Sequence, residues 1–356
     1  MTLQRVQVSD FRCLHSAELD LDPHFTLVSG PNASGKTSVL EALYVLGRGR
    51  SFRTRRLDNL IRSGAGAFIV FGEALIAERR IGLGVEGSTH GVRAKIAGQR
   101  VSSLAELAAA LPVQIIDPEV HRLIEEGPSR RRRFLDWGVF HVEHEFVHRW
   151  QKYHQVLKQR NAALEAQLPA PVVAAWDIEL VRWGNQIHDS RQRYMAALTP
   201  RAAELVKRLL DLELDLSYRS GWARDLSFEE ALKNSDKRDQ DMRSTQVGPQ
   251  RAEIVIRLNG SLVKDRISRG QQKLLAAALL MAQLNLFPED GPGHVKPTLL
   301  LDDPAAELDS ARLSGLIREV SCHAVQLVVT SLSAEFLAFG SPGRRYLIDG
   351  GRIAAL

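Results

Sequence analysis

The sequence predicts an α/β protein: a head assembled from both ends of the chain, with a mainly helical lobe inserted between them. Three observations carry this expectation. First, Gly30-Pro31-Asn32-Ala33-Ser34-Gly35-Lys36-Thr37 lies between an apolar run, HFTLVS, and a stretch of helical period, TSVLEALYVL. That is the strand–loop–helix setting of a phosphate-binding loop. Second, Leu299-Leu300-Leu301-Asp302-Asp303 near the other end is an all-apolar strand finishing in two carboxylates. Third, residues 119–210 are almost wholly helix-forming. The expected boundaries are residues 1–115 and 246–356 for the two parts of the head, and 116–245 for the lobe.

Each element follows from local pattern. LQRVQVSDF and AELDLD alternate apolar and polar residues, as half-buried strands do, and residues 67–101 read as a small antiparallel meander. The helical lobe is interrupted at Pro128 and at Pro169-Ala170-Pro171, which predicts two or three long helices, the later pair antiparallel. Strand character returns at residues 212–218 and in EIVIRLNGSLV, where Asn259-Gly260 marks a two-residue hairpin. The tail predicts a helix from about Gly270, strand PTLLLDD, a helix over residues 310–322, strand AVQLVVTS and a closing hairpin, YLIDGGRIAAL.

Composition excludes several classes. With 356 residues, 44% hydrophobic and 25% charged, the chain is globular rather than disordered or fibrous. Cys13 and Cys322 are its two cysteines, too few for a disulfide framework and without metal-site spacing. The longest apolar run, Leu274 to Ala282, is half of the roughly 18–20 residues a bilayer span requires. The first residues lack the apolar segment of a secretory signal, so a reducing cytoplasm is the expected compartment.

Charge points toward a polyanion. The formal net charge is +5, and arginine outnumbers lysine 37 to 10. Arg48, Arg50, Arg53, Arg55 and Arg56 fall within nine residues that contain no acid, and Arg130, Arg131, Arg132 and Arg133 are consecutive. The planar guanidinium suits phosphate recognition, which makes these nine residues the candidate DNA contacts. A solvated basic surface would have the same composition.

The loop brings specific chemistry. Its glycines let backbone N–H groups converge on phosphate oxygens at a helix N-terminus. Lys36 is expected at the β- and γ-phosphates of ATP and the Thr37 hydroxyl on Mg²⁺. A metal site of this kind needs an acid from a neighbouring strand. Asp302 is the candidate, and Asp303 is the candidate to orient or deprotonate the attacking water. A third piece, Ser268-Arg269-Gly270-Gln271, opens a helix and forms a second anion site, more naturally for the nucleotide of a partner subunit.

In this order the motifs resemble an ABC-type ATPase head. Ser268-Arg269-Gly270-Gln271 resembles its signature loop, and Asp302-Asp303-Pro304-Ala305-Ala306-Glu307-Leu308-Asp309 its acidic motif running into the D-loop. Within that superfamily the chain resembles the RecF family of bacterial recombination-repair proteins. The resemblance rests also on Asp10-Phe11-Arg12, Ser51-Phe52-Arg53-Thr54, Arg131-Arg132-Arg133-Phe134-Leu135-Asp136 and Gly248-Pro249. It implies an ATP-dependent DNA-binding protein, binding single-stranded, gapped or duplex DNA, that forms a homodimer with two nucleotides at its interface. It further implies work with RecO and RecR in loading recombinase, supporting replication restart and the SOS response. By the same resemblance Arg12 stacks against the adenine.

Departures from the superfamily pattern mark open points. The second acid is Asp303 rather than glutamate, consistent with a slow switch. Thr330-Ser331 stands where transporters place a γ-phosphate-sensing histidine, and Gln114 and Asp117-Pro118-Glu119 are alternatives for the Q-loop. After Gly248-Pro249 the family's His-Arg-Asp reads Gln250-Arg251, then Glu253 beyond Ala252. His144-Glu145-Phe146-Val147-His148 matches a zinc-protease pattern, but on a continuous helix His154 lies about 120° from His148. Structural histidines, with His141 on the same face, are therefore expected there. Three function classes remain: an ATP switch on DNA, the ATPase subunit of a membrane transporter, and a chain that holds nucleotide as a structural ligand.

Overall fold

The computed structural model describes residues 2–76, 79–143, 145–263, 267–287, 296–306, 310–321, 325–333 and 340–356. The chain forms two compact units, one of residues 1–120 with 287–356 and one of residues 121–286. In chain order the first unit opens with β1 (Thr2–Phe11), β2 (Leu14–Asp20), β3 (Phe25–Ser29), α1 (Lys36–Arg48), β4 (Ala67–Ile76), β5 (Arg79–Ser88), β6 (Gly91–Ile96), β7 (Gln99–Arg100), α2 (Leu104–Ala110) and β8 (Val113–Ile116). The second unit follows with α3 (Arg122–Glu125), α4 (Pro128–Val142), α5 (Phe146–Glu165), α6 (Ala170–Ala174), α7 (Asp177–Leu210), β9 (Leu214–Arg219), α8 (Phe228–Asp241), β10 (Glu253–Leu258), β11 (Ser261–Leu262) and α9 (Arg269–Leu284). The chain then returns to the first unit through β12 (Thr298–Leu301), α10 (Ser310–Ser321), β13 (Gln326–Ser331), β14 (Arg344–Asp349) and β15 (Arg352–Ala355).

The head unit contains two sheets. One is the antiparallel meander β2-β1-β4-β5-β6-β7. The other, β15-β14-β3-β13-β12-β8, is parallel except for the edge hairpin partner β15. Its central strands β3, β12 and β13 are buried along their whole length, which is why consecutive apolar residues (Leu27-Val28, Leu299–Leu301, Leu327–Val329) replace alternation in them. Helix α1 packs into the core formed with both sheets: Val39, Leu40, Leu43 and Leu46 join Val6, Val8, Val70, Leu300 and Val328 in one cluster. Where α1 meets the meander, the backbone comes so close that a Cβ on Gly72 would lie 2.5 Å from a Leu46 methyl.

The lobe is helical, with a small sheet β11-β10-β9. Asn259 and Gly260 adopt φ of 47° and 75°, the left-handed pair that a tight hairpin turn demands. Helix α7 runs 34 residues, with Asp177 and Glu179 in its first turn and Lys207 and Arg208 in its last, matching the helix dipole. Buried Arg160 of α5 donates to Asp177, Asp239 and Thr245, at 2.8, 2.7 and 2.9 Å, and so joins α5, α7 and α8.

Two expectations need correction. Residues 246–286 were expected with the head, yet they pack with the lobe. Strand β10 pairs along its length with β9, and α9 lies against α7, pairings that local periodicity does not encode. The helix expected to run continuously through the histidines ends at Val142 and restarts at Phe146. Between them Glu143 leaves helical geometry, and its carboxylate accepts hydrogen bonds from Arg149, Ser190 and Arg193.

Candidate phosphate-binding site

The loop after β3 folds as the glycine spacing requires. Gly35 has φ +114°, a conformation an L side chain rarely adopts, and a Cβ on Gly30 would stand 2.2 Å from the Ile348 carbonyl oxygen. The closing hairpin β14–β15 therefore backs the loop, and the Gly351 amide donates to the Ser34 carbonyl at 2.9 Å. Lys36 is buried, with its ammonium donating to the Gly30 and Pro31 carbonyls at 2.8 and 2.9 Å. The Ser34 hydroxyl is buried without a hydrogen-bond partner among the described residues. A cation and a spare hydroxyl are thus concentrated where α1 begins, at the end of the helix that favours anions.

The acids arrive from the same edge of the sheet. β13 separates β3 from β12, and all three finish on one side, so the ends of the strands form the crevice where ligands bind in open α/β sheets. The Thr37 hydroxyl donates to the Asp302 carboxylate, 2.9 and 3.1 Å from its two oxygens. Thr330 donates to Asp302 Oδ1 at 2.8 Å and accepts from the Asp303 amide at 3.0 Å. Of the two hydroxyls left open by the sequence, Thr330 is thus turned onto the acids. Ser331 accepts from the Gly30 amide through its carbonyl, at 3.1 Å. Asp303 is half-buried with φ +45°, an uncommon conformation for an aspartate. On the far side, the Asp302 amide donates to the Ile116 carbonyl, so Asp117-Pro118-Glu119 leaves β8 beside the acids, while Gln114 is buried within the strand.

Arg12 and the serine–glycine loop complete the set. The Arg12 fork grips Glu41 of α1 with two hydrogen bonds of 2.8 Å, and Glu41 is fully buried. Glu41 also accepts from Ser51 and has the Arg53 guanidinium 3.7 Å away. The Nε–Nη2 edge of Arg12 is thus engaged, which fixes the plane of its guanidinium. In the lobe, Ser268 caps α9: its hydroxyl accepts from the Gln271 amide at 3.3 Å while the Gln271 side chain accepts from the Ser268 amide at 3.0 Å. This box leaves the Arg269 and Gly270 amides of the first turn for another acceptor.

Comparison with known proteins supplies the family. The model of the RecF/RecN/SMC N terminal domain matches residues 2–342. DNA replication and repair protein RecF of Pseudomonas putida is 40% identical over 361 residues, which cover 99% of this chain and 98% of that one. The RecF of Pseudomonas entomophila is 40% identical over 364 residues, with the same coverage. The chain belongs to the RecF family of DNA replication and repair proteins. Among solved structures, that of the recombination mediator protein RecF with ATP, from the RecFOR pathway, matches with a TM-score of 0.89 at 26% identity, covering 100% of this chain and 97% of that one. An Smc head bound to the C-winged helix domain of ScpA shares the fold, with a TM-score of 0.61 at 16% identity and coverage of 100% and 98%.

Within this RecF-family chain the two arginine runs fare differently. Arg50, Arg53, Arg55 and Arg56 are exposed. Arg48 is not part of that surface: it is half-buried, its Nε donates to the Val113 carbonyl and its guanidinium lies over the Tyr44 ring. In the consecutive run, Arg131 and Arg132 are engaged within the lobe. Four successive residues on α4 spread around the helix at about 100° each and cannot share a face. Arg130 pairs with Glu126 at 2.9 Å, Arg131 grips Glu253 with two bonds of 2.8 Å, and Arg132 donates to the Ala252 carbonyl at 2.8 Å. Only Arg133 of the four is exposed.

The remaining expectations can be placed briefly. Gln250 accepts from the buried Tyr153 hydroxyl, and Glu253 is the partner of Arg131. His148 packs edge-on against Trp183 and His154 lies beside Trp150. His144, Glu307, Leu308, Asp309 and Cys322 lie outside the described residues. Sequence reasoning missed Glu41, although its signal was there: one carboxylate among the apolar positions of α1 asks for a cation, and Arg12 answers it.

Proposed function

We propose that this RecF-family chain is an ATP-dependent DNA-binding protein of recombinational repair, a slow ATPase whose nucleotide state controls pairing of two copies. The observation that carries this reading is the meeting of Thr37, at the start of the loop helix, with Asp302, at the end of a strand two positions across the sheet. Lys36 would exchange the Gly30 and Pro31 carbonyls for the β- and γ-phosphates, and the loop amides and Ser34 hydroxyl would take further phosphate oxygens. The hydroxyl and carboxylate of Thr37 and Asp302 fit Mg²⁺, a hard cation that prefers oxygen donors. When bound, Mg²⁺ neutralises charge developing on the phosphate oxygens. Asp303, fixed through its amide by Thr330, is positioned to orient or deprotonate water. Arg12 offers its face to the adenine.

Ser268, Gly270 and Gln271 would act in trans. Each loop leaves one side of the γ-phosphate uncovered, and each α9 has two first-turn amides to spare. A two-fold pair satisfies both needs twice, so ATP favours the dimer and loss of the γ-phosphate releases it. Arg50, Arg53, Arg55 and Arg56 are the proposed DNA contacts. The RecFOR pathway in which the ATP-bound relative was described supports cooperation with RecO and RecR on single-stranded, gapped or duplex DNA, in recombinase loading, replication restart and the SOS response. The family's work on DNA supports the cytoplasm as the compartment.

Sedimentation with ATP and with ADP tests the proposal, alongside equilibrium binding of a fluorescent nucleotide. The wild type should dimerise with ATP only. Lys36→Ala should lose about 100-fold or more in nucleotide affinity, because removing a cation from an anion site costs several kcal/mol. Ser268→Arg should keep affinity and stay monomeric. Wild-type affinity in Lys36→Ala, or an ATP dimer of Ser268→Arg, would overturn it.

A further inference from the structure

The lobe contains a cavity of about 1060 Å³ that the ATP-dependent chemistry does not use. It lies on elements α7, β9 and β10 and the segment after β9. Four rings run in series there: Phe228 stacks on Trp222 at 4.8 Å, Trp222 meets His188 at 5.0 Å, and His188 stacks on Tyr218 at 5.6 Å between centroids. Phe228 is buried, while His188, Tyr218 and Trp222 are half-buried and line the cavity. Three guanidiniums, Arg219, Arg224 and Arg257, share the lining with one carboxylate, Asp215. Arg257 approaches Asp215 at 3.4 Å; Arg219 and Arg224 are exposed and form no ion pair among the described residues.

His188 Nδ1 is buried and has no hydrogen-bond partner among the described residues. The Tyr218 hydroxyl, near the Arg191 guanidinium, makes no well-aligned bond, since Arg191 is committed to Asp136 and to the Pro249 carbonyl. Both atoms are buried, so the cavity meets the rings of His188 and Tyr218 rather than these atoms. Burial holds the His188 imidazole below its ordinary value, which keeps it neutral and able to accept as well as donate.

We infer that this cavity is a binding site for an unpaired nucleotide, with the base against the rings of His188, Tyr218 and Trp222 and the phosphate at Arg219 and Arg224. A π-face for stacking and cations for the backbone are the parts that sequence-tolerant single-strand binding needs. An acidic peptide would use the cations but not the ring series. The volume lies at the top of the range of ligand pockets, roughly 300–1,000 Å³, ample for a nucleotide entering with its neighbours on the strand. The inference rests on reading the chain as DNA-binding and locates, in the lobe, a contact that the exposed arginines of the head do not provide.

Binding of a fluorescent ten-nucleotide oligothymidine to the full chain without ATP tests this, with a duplex of equal length measured in parallel. Arg219→Ala with Arg224→Ala should weaken oligonucleotide binding about tenfold or more and reduce the salt slope by about 1.4, at roughly 0.7 per single-strand phosphate contact. Trp222→Ala should weaken it by at least about fivefold, the low end of a stacked base. An iodouracil-substituted oligomer should cross-link to the peptide carrying Tyr218 or Trp222. If Trp222→Ala loosens the lobe, the exposed arginine pair still carries the test. Displacement by thymidine monophosphate would identify a free nucleotide as the source of the same chemistry and support the site. Wild-type oligonucleotide binding in the arginine pair, with duplex binding intact, would sink the cavity alone; so would displacement by polyglutamate with no cross-link. Loss of both duplex and single-strand binding from the wild type itself would sink the DNA reading with it.

Discussion

Replacing Gln326 by leucine should destabilise the head by about 2 kcal/mol without touching any phosphate-binding group. Gln326 opens β13, the strand between the loop strand β3 and the acid strand β12, and it is fully buried. Its amide behaves as a missing rung of a sheet: it accepts from the Leu3 amide at 2.9 Å and donates to the Leu3 carbonyl at 2.6 Å and the Asp22 carbonyl at 3.0 Å. Leu3 needs this because the β1–β4 register slips between Leu3 and Arg5, and β2 pairs with β1 only from Arg5 onward. Leucine would leave both Leu3 groups buried and unpaired, at about 1–3 kcal/mol each. Half-buried Asp22 can turn to water, and the new apolar side chain returns about 1.5–3 kcal/mol. Urea unfolding should therefore show an earlier transition, and hydrogen exchange should quicken in peptides of both β1 and β13. Gln326→Glu adds a pH test. A carboxyl there is stabilised protonated, so its folded pKa lies above its unfolded value; stability is retained at acid pH and lost as pH rises through the folded value. Gln326→Leu within 0.5 kcal/mol of wild type would refute the argument.

Two further outcomes follow from the lobe. Burial lowers the imidazole pKa of His154 and of His188, outweighing the attraction of Asp136 and Asp189. The unfolded chain then takes up protons first, so lobe stability should be fully present above about pH 7 and fall as pH drops through the ordinary histidine value of 6.5. Denaturant midpoints between pH 7 and pH 5 read this directly, His154→Gln should flatten the profile, and a flat wild-type profile contradicts it. Arg131→Ala should cost roughly 2–4 kcal/mol, because it strands Glu253 in a partly buried site. It should leave the salt dependence of duplex binding unchanged. Alanine at Arg50, Arg55 and Arg56 should instead lower that slope by about 0.9 per lost contact. A reduced slope in Arg131→Ala would mean that the residue faces DNA after all.

What the sequence by itself determined was local. The phosphate-binding loop, the strand Leu299–Leu301 with its acids, the Ser268 cap and the Asn259-Gly260 turn each lie within a few residues, and their chemistry follows from residue type and spacing. Helix α8 was legible on the same grounds, through the box of Ser227 and Glu230, and was overlooked; β8 was not, because Val113-Gln114-Ile115-Ile116 after a proline is too short to show a period. Only the tertiary structure decided which partners these pieces meet. It turned Thr330 onto Asp302, gave Glu41 to Arg12, spent Gln326 on Leu3 and drew Arg131 and Arg132 into internal bonds. It also joined the segment carrying α9 to the lobe. The reason is one of range. A helix or strand declares which of its faces is apolar through its own period, but a buried charge or an unpaired carbonyl is answered by whatever residue the fold brings alongside. For Gln326 and Leu3, that residue stands at the opposite end of the chain.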